Sequence, residues 1–227
     1  MGTILNIYKP SGITSYDVIR FLKKRFPGIG KIGHAGTLDP LAEGVLVVCT
    51  GSATKLTGKL ALYEKEYIAR MIFGVKTDTD DIDGRVLEKR DVPDLSYLDV
   101  EEILDKFRGT ISQVPPVVSA IKYRGKPMYK HHRQGRVIVP EARTVSIKEI
   151  ELLSVNMPEI QFRVVCSKGT YIRALCRDIG VAAGCLGTQT GLKRTRVGSY
   201  RIEKSSGLED ITESMIRGEN PQLQTGG

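Results

Sequence analysis

The sequence has no apolar run long enough to cross a membrane, which removes one large class of proteins at the start. A bilayer span needs about 18–20 consecutive apolar residues, and no stretch of the 227 residues approaches that. The opening MGTILNIYKP lacks the basic region, apolar region and small-residue cleavage site of a secretory signal, so residence in the cytoplasm is expected. Cysteine is scarce: Cys49, Cys166, Cys176 and Cys185 are scattered, and no C-x-x-C pair exists. Neither a disulfide framework nor a zinc site is expected, only reduced and mostly buried thiols. No internal repeat, low-complexity tract or Pro/Ser-rich linker divides the chain. Its 41% hydrophobic and 26% charged content is ordinary for a globular protein.

Acid is missing from one stretch. Between Lys122 and Arg136 stand Lys122, Arg124, Lys126, Lys130, Arg133 and Arg136, with His131, His132, Tyr123 and Tyr129 interleaved and no carboxylate among them. A second basic group, Lys193, Arg194, Arg196 and Arg201, lies near the C-terminus, whereas residues 77–105 are acidic, with Asp78, Asp80, Asp81 and Asp83 clustered. The net charge of +8 and pI near 9.3 favour a polyanionic partner. A basic strip with aromatics suits a phosphate backbone and unstacked bases; a solvated loop is the plainer alternative.

Periodicity points to α+β with a largely antiparallel sheet. TSYDVIRFLKKRF reads as a helix that Thr14 and Asp17 cap, with Val18, Ile19, Leu22 and Phe26 as its apolar stripe. GVLVVCTG reads as a buried strand, and SATKLTGKLALY as a helix capped by Ser52. EYIARMIFGVKT alternates as a strand with Tyr67, Ala69, Met71, Phe73 and Val75 on one face. SYLDVEEILDKFRG is a helix with Leu98, Ile103, Leu104 and Phe107 inward, and TYIRALCRDIGVAAG another with Ile172, Leu175 and Ile179 inward. RTVSIKEIELLSV and EIQFRVVCS pair as strands turning near Met157-Pro158, and RTRVGSYRI is a late strand. QVPPVVSAIKYRGKPMYKHHRQGR reads as a long functional loop.

Three apparent motifs fail on physical grounds. GIGKIG at 28–33 matches G-x-G-x-x-G, but a helix precedes it and none follows, so it is not a dinucleotide loop. Aligning Gly84 of TDTDDIDG to the sixth position of a calcium loop puts Arg90 where a bidentate acid is required. GSATKLTGK has the wrong glycine spacing for a phosphate loop, and Leu60 follows its lysine.

The acid that remains is Asp39 in GHAGTLDPLAEG. Pro40 pushes it towards an extended conformation, and Gly33, Gly36 and Gly44 permit close backbone approach, as beside a flat ligand. Asp-Pro is also a common turn pair, so a turn or cap role stays open. A single carboxylate near an RNA-binding strip can act as nucleophile or general base on a base or sugar. It would need a cationic partner in a dry pocket, for which Arg173, two residues from Tyr171, is the candidate.

KPSGITS, GHAGTLDPLAEGVLV, KEYIARMIFGVKTDTDDIDG, QVPPVVSAIKYRGKPMY, CSKGTYIRALCRDIG and GLKRTRVGSY, in this order, closely resemble the TruB-type tRNA pseudouridine synthases. The resemblance runs from about residue 3 to 200. It implies the pseudouridine synthase fold, with residues 1–210 as a catalytic domain bearing an RNA-binding insertion at about 113–140. Residues 211–227 are then a polar tail, without the family's usual C-terminal RNA-binding (PUA-like) domain. It implies isomerisation of the T-loop uridine at tRNA position 55 by a monomer without a cofactor. By motif, Asp39 is the catalytic aspartate, Tyr67 stacks on the target ring and later accepts a proton, and Arg173 pairs with Asp39. His34 stacks in the space left by the flipped nucleotide, Leu192 helps wall the pocket, Tyr171 is a further substrate-binding residue, Lys9 supports the site, and Asp81 lies close to it. The insertion's cations with Lys193 and Arg194 would contact RNA, although Lys193 stands where arginine is usual. A tRNA-binding module without chemistry is the competing reading.

Overall fold

A computed structural model describes residues 2–119, 121–132 and 134–218. Its first strands are β1 (Ile4–Lys9), β2 (Ile32–His34), β3 (Glu43–Thr50), β4 (Lys65–Phe73), β5 (Val75–Thr77) and β6 (Val86–Lys89). There follow β7 (Gly109–Gln113), β8 (Lys122–Tyr123), β9 (Lys126–Pro127), β10 (Arg143–Asn156), β11 (Glu159–Cys166), β12 (Gly187–Val197) and β13 (Tyr200–Arg201). The helices are α1 (Ser15–Arg25), α2 (Thr57–Ala61), α3 (Tyr97–Asp105), α4 (Met128–His132), α5 (Ile172–Ala182) and α6 (Glu213–Arg217). They divide into two units, one of Met1–Tyr67 with Leu192–Gly227 and one of Ile68–Gly191.

In the first unit the strand order is β1-β3-β12. β1 runs antiparallel to β3, pairing Leu5 with Val48 and Ile7 with Leu46, and β12 lies parallel to β3 at Lys193–Glu43 and Arg194–Gly44. The expected capping box begins α1: the Thr14 hydroxyl accepts from the Asp17 amide, and the Asp17 carboxylate accepts from the Thr14 amide, worth about 1 kcal/mol. Val18, Ile19 and Leu22 then pack on Leu5, Ile7, Leu46 and Val48, each buried side chain contributing about 1.5–3 kcal/mol. Ile211 and Met215 join that cluster. Residues 211–218 are thus a packed segment ending in α6, not a solvated tail, because two apolar side chains in it find a core; residues 219–227 lie outside the described set. The helix expected to start at Ser52 is a 3-10 segment, Gly51–Leu56, that runs into α2 without a side-chain cap. Gly51 holds φ at +52°, so the chain turns tightly there.

In the second unit the order is β4-β11-β10-β7. β10 and β11 form the expected hairpin, pairing Ile150 with Val164, Leu152 with Phe162 and Val155 with Ile160. β10 also pairs antiparallel with β7, from Arg143–Gln113 to Ile147–Gly109. Ser96 and Asp99 make a second capping box on α3. Val100, Ile103 and Leu104 are its buried face while Leu98, expected inward, is 68% exposed, since position 98 lies about 200° round the helix from 100. All four cysteines are buried thiols. Among the described residues no helix is long and apolar enough to cross a membrane. The architecture is the expected mixture of helices and a largely antiparallel sheet.

The insertion between β7 and β10 corrects the expectation of an irregular loop. Arg124 and Gly125 both hold positive φ, 47° and 80°, which is the conformation of a two-residue hairpin turn. β8 and β9 flank it, pairing Lys122 with Pro127 and Tyr123 with Lys126. Met128, 2% exposed, then anchors α4, its amide bonded to the Ile121 carbonyl at 2.8 Å.

Candidate active site and nucleic-acid interface

Asp39 begins a main-chain turn between β2 and β3: the Ala42 amide donates to the Asp39 carbonyl at 3.1 Å. Pro40 occupies the second position, where its fixed φ fits a type I turn. The turn is gripped from several directions. Ser15 in α1 donates from Oγ to the Leu38 carbonyl at 3.0 Å and accepts from the Leu38 amide at 2.8 Å. Lys9, 0% exposed, directs its ammonium at the carbonyls of Pro10, Ile13 and Pro40 at 2.8, 2.7 and 3.4 Å. Arg194, 1% exposed, donates from Nε to Val45 O at 2.7 Å, from Nη2 to Gly36 O at 3.0 Å and from Nη1 to Thr37 O at 3.4 Å. Two interior cations thus hold the carbonyls on both sides of a half-buried Asp39.

This corrects two expectations. Arg194 does not lie on the surface, where an RNA contact was expected; its guanidinium is enclosed and engaged by main chain. Gly44 does not make room for a ligand either. It holds φ at +106°, and a Cβ there would overlap the Arg194 carbonyl oxygen, so the missing side chain serves the parallel β3–β12 approach. Lys9 has the supporting place expected of it. Burial first, then the charge of Arg194, lowers its pKa to about 8, against the raising influence of Asp39, Glu43 and Asp17.

The sign of that shift gives a stability prediction. Below about pH 8 Lys9 is charged in both folded and unfolded chains. From there to the ordinary lysine value the unfolded chain binds more protons, so stability rises with pH across this window. Denaturant melts of the wild type and Lys9→Met at pH 8 and pH 10 should show a larger pH increment for the wild type. Equal increments would count against the buried charge.

Other expected residues of the first unit are placed as follows. His34, in β2, pairs with Val48; burial and then Arg194 lower its pKa, which leaves the ring neutral at pH 7. Its Nδ1 is buried and has no hydrogen-bond partner among the described residues. Tyr67 in β4 is 8% exposed, and Leu192 in β12 is half-buried. Lys193 pairs with Glu43 at 3.0 Å, and Glu43 also accepts the Tyr8 hydroxyl at 2.5 Å. Burial and that carboxylate raise Tyr8 to about 12. An RNA phosphate would have to compete with Glu43 for Lys193.

In the second unit Arg173 lies in the first turn of α5 and is 5% exposed. It donates to the carbonyls of Thr79 at 2.8 Å and Val118 at 3.0 Å and pairs with Asp81 at 3.4 Å. Asp81, 7% exposed, also accepts the Thr79 hydroxyl at 2.6 Å. The acidic tip between β5 and β6 is therefore an internally bonded turn that feeds Arg173. Asp80, with φ of +62°, pairs with Arg177 at 2.9 Å, and burial raises its pKa from the ordinary aspartate value against the lowering influence of Arg177 and Arg173. Tyr171 is the N-cap residue of α5. Gln113, 0% exposed, clamps its backbone, donating to Tyr171 O at 3.1 Å and accepting from Tyr171 N at 2.9 Å. The Arg143 guanidinium lies 4.6 Å from the centre of the Tyr171 ring.

Gln113, Glu43 and Arg143 escaped the sequence reading. Each stands at the end of a strand, Gln113 closing β7 and Glu43 and Arg143 opening β3 and β10, where a polar residue reads as solvent-facing, and no local signal marks it otherwise.

On the insertion, Arg124, Lys126, Lys130 and Arg136 are exposed. Arg124 lies over the Tyr123 ring, 5.4 Å from its centre, and His131 meets the same ring edge-on at 5.9 Å. For Lys122 only the backbone, in β8, is described, and Arg133 lies outside the described residues.

A fold of this kind, with an aspartate on a clamped turn and a basic hairpin, is that of a pseudouridine synthase. It is similar to the Cbf5-Nop10-Gar1 complex structure at 30% identity and a TM-score of 0.72, over 94% of this chain and 58% of that one. It is also similar to an H/ACA RNP bound to a substrate RNA containing 2'-deoxyuridine, at 28% and 0.69, over 94% and 57%. The chain thus spans a little over half the length of each of those proteins. The family model for TruB family pseudouridylate synthase (N terminal domain) matches residues 23–172, and that for the tRNA pseudouridylate synthase B C-terminal domain matches 173–224. The chain belongs to the TruB family. It is 45% identical over 217 residues to tRNA pseudouridine synthase B of Clostridium tetani, covering 96% of this chain and 75% of that one. The corresponding protein of Francisella philomiragia is 44% identical over 214 residues, covering 94% and 70%.

Proposed function

We propose that this chain isomerises uridine to pseudouridine in tRNA, at position 55 of the T-loop, as a cytoplasmic monomer that needs no cofactor. One observation carries the reading: in a chain of this family, Asp39 sits on a turn whose flanking carbonyls are held by interior Lys9, Ser15 and Arg194. Such anchoring keeps a reacting group in place, and positioning is a large part of catalysis.

The uridine must first leave its stack, which costs a few kcal/mol, and base–aromatic stacking of about 1–3 kcal/mol offsets much of it. Asp39, Tyr67 and Arg173 are the proposed catalytic groups. The N1–C1′ bond breaks with Asp39 assisting, the uracil turns, C5 bonds to C1′, C5 loses its proton and N1 gains one. Tyr67 stacks on the ring and accepts the C5 proton. A neutral His34 suits stacking in the space the nucleotide vacates, and Leu192 helps wall the pocket. Because the C5 hydrogen departs, tritium released from [5-³H]uridine in a T-arm hairpin, without added cofactor, measures the reaction. Binding without release would support the module that holds tRNA without chemistry.

The exposed cations of the β8–β9 hairpin support a phosphate-tracking role. Replacing Arg124, Lys126 and Lys130 together by alanine should reduce the slope of log affinity against log salt by about 2, at roughly 0.7 per single-strand phosphate contact. Filter binding at several salt concentrations reads this out, and an unchanged slope would remove the hairpin from the interface.

A further inference from the structure

We propose that Arg143, braced on the Tyr171 ring, forms a phosphodiester-binding site that the RNA strand completes. The inference rests on RNA being the substrate, as proposed above. Arg143 and Gln113 face each other across β10 and β7, and they are the two ends from which the whole basic insertion departs. Both hold Tyr171: Gln113 by two main-chain hydrogen bonds, Arg143 by its guanidinium over the ring at 4.6 Å. The root of the insertion is therefore fastened to the start of α5.

The guanidinium is incompletely used. Its Nε and Nη2 are buried and have no hydrogen-bond partner among the described residues. Leaving charged donors without acceptors is unfavourable, and such groups in a native fold call for a reason. These two nitrogens share one edge of the planar group, and that edge matches two oxygens of a single phosphodiester. Gly169, with φ of +81°, presents bare backbone beside the guanidinium, where even a Cβ would stand 3.8 Å from Nη1. Arg143 as a whole is only half-buried, so rotation about its last side-chain bonds delivers the Nε–Nη2 edge to a strand arriving along the exposed cations of the insertion. The ring beneath supplies a flat support that the rotation preserves.

A structural role and a ligand role predict opposite results on two readouts. Arg143→Met and Arg143→Lys would be compared with wild type, each as the full chain, by thermal melting and by filter binding of a T-arm hairpin across salt concentrations. The proposal expects Arg143→Met to melt within about 2 °C of wild type or above it, since unpartnered buried donors are removed. It expects weaker binding and a salt slope smaller by about 0.7–0.9. Arg143→Lys should keep most of the slope, since the charge remains, yet bind several-fold more weakly because the paired edge is gone. An unchanged slope in Arg143→Met, with or without a lower Tm, overturns the proposal and leaves Arg143 as a brace for Tyr171. Wild-type tritium release from the same hairpin separates the two readings. Release together with an unchanged slope sinks the phosphate site alone, whereas a wild type that neither binds nor releases sinks both.

Discussion

Asp39→Asn is expected to lower tritium release from the T-arm hairpin by roughly 10²–10⁴-fold if the carboxylate works as acid or base, and further if it is the nucleophile. Asparagine keeps the size of the side chain and removes its charge and basicity. The turn itself should survive. It closes through the Asp39 carbonyl and the Ala42 amide, and the grip on it comes from Ser15, Lys9 and Arg194 acting on neighbouring carbonyls. Affinity for the hairpin should stay within a few-fold of wild type, because contacts made equally by bound substrate and transition state are retained. Single-turnover release and filter binding on the same preparation separate chemistry from affinity. Wild-type release by the variant would end the catalytic assignment, while a parallel loss of binding would make Asp39 a recognition residue.

What could be read beforehand was local. The capping boxes at Thr14 and Ser96 are fixed by residues three apart, and the alternation through β4 and the stripe of α5 are governed by neighbours within two turns. The turn character of Asp39-Pro40 was legible for the same reason. What escaped depends on distant partners. Arg194 meets the carbonyls of Val45, Gly36 and Thr37 across 149–158 residues of chain. A lysine or arginine in one sequence reads as surface because an isolated cation is seldom buried. Only the carbonyls of Pro10, Ile13, Gly36, Thr37 and Pro40 in the segments beside β1 and β3, together with Val45 of β3, give Lys9 and Arg194 interior partners. Gly44 shows the same limit in reverse: its missing side chain was read as close approach for a ligand, yet the neighbour that needs the room is the backbone of Arg194. Ile211 and Met215 looked like residues of a polar tail until α1 and β1 supplied a face for them.

Arg194→Ala puts the interior reading of that arginine against the RNA-contact reading suggested by its place in a basic run. With the guanidinium gone, the carbonyls of Gly36, Thr37 and Val45 lose their donors, each at about 1–3 kcal/mol where water cannot reach, and a cavity remains. A total near 4 kcal/mol lowers Tm by roughly 10 °C in a chain of this size. The salt slope of hairpin binding should not change, since no phosphate contact is removed. The surviving folded fraction should lose kcat more than KM, because the turn that carries Asp39 shifts and a displacement of about 1 Å can cost 10²-fold. Arg194→Lys should fall between, as an ammonium cannot reproduce a planar fork that reaches three carbonyls. Were Arg194 an RNA contact, alanine would leave Tm near wild type and flatten the salt slope. Melting curves and salt titrations of one variant therefore decide whether the arginine two residues after Leu192 binds the substrate or builds the turn that acts on it.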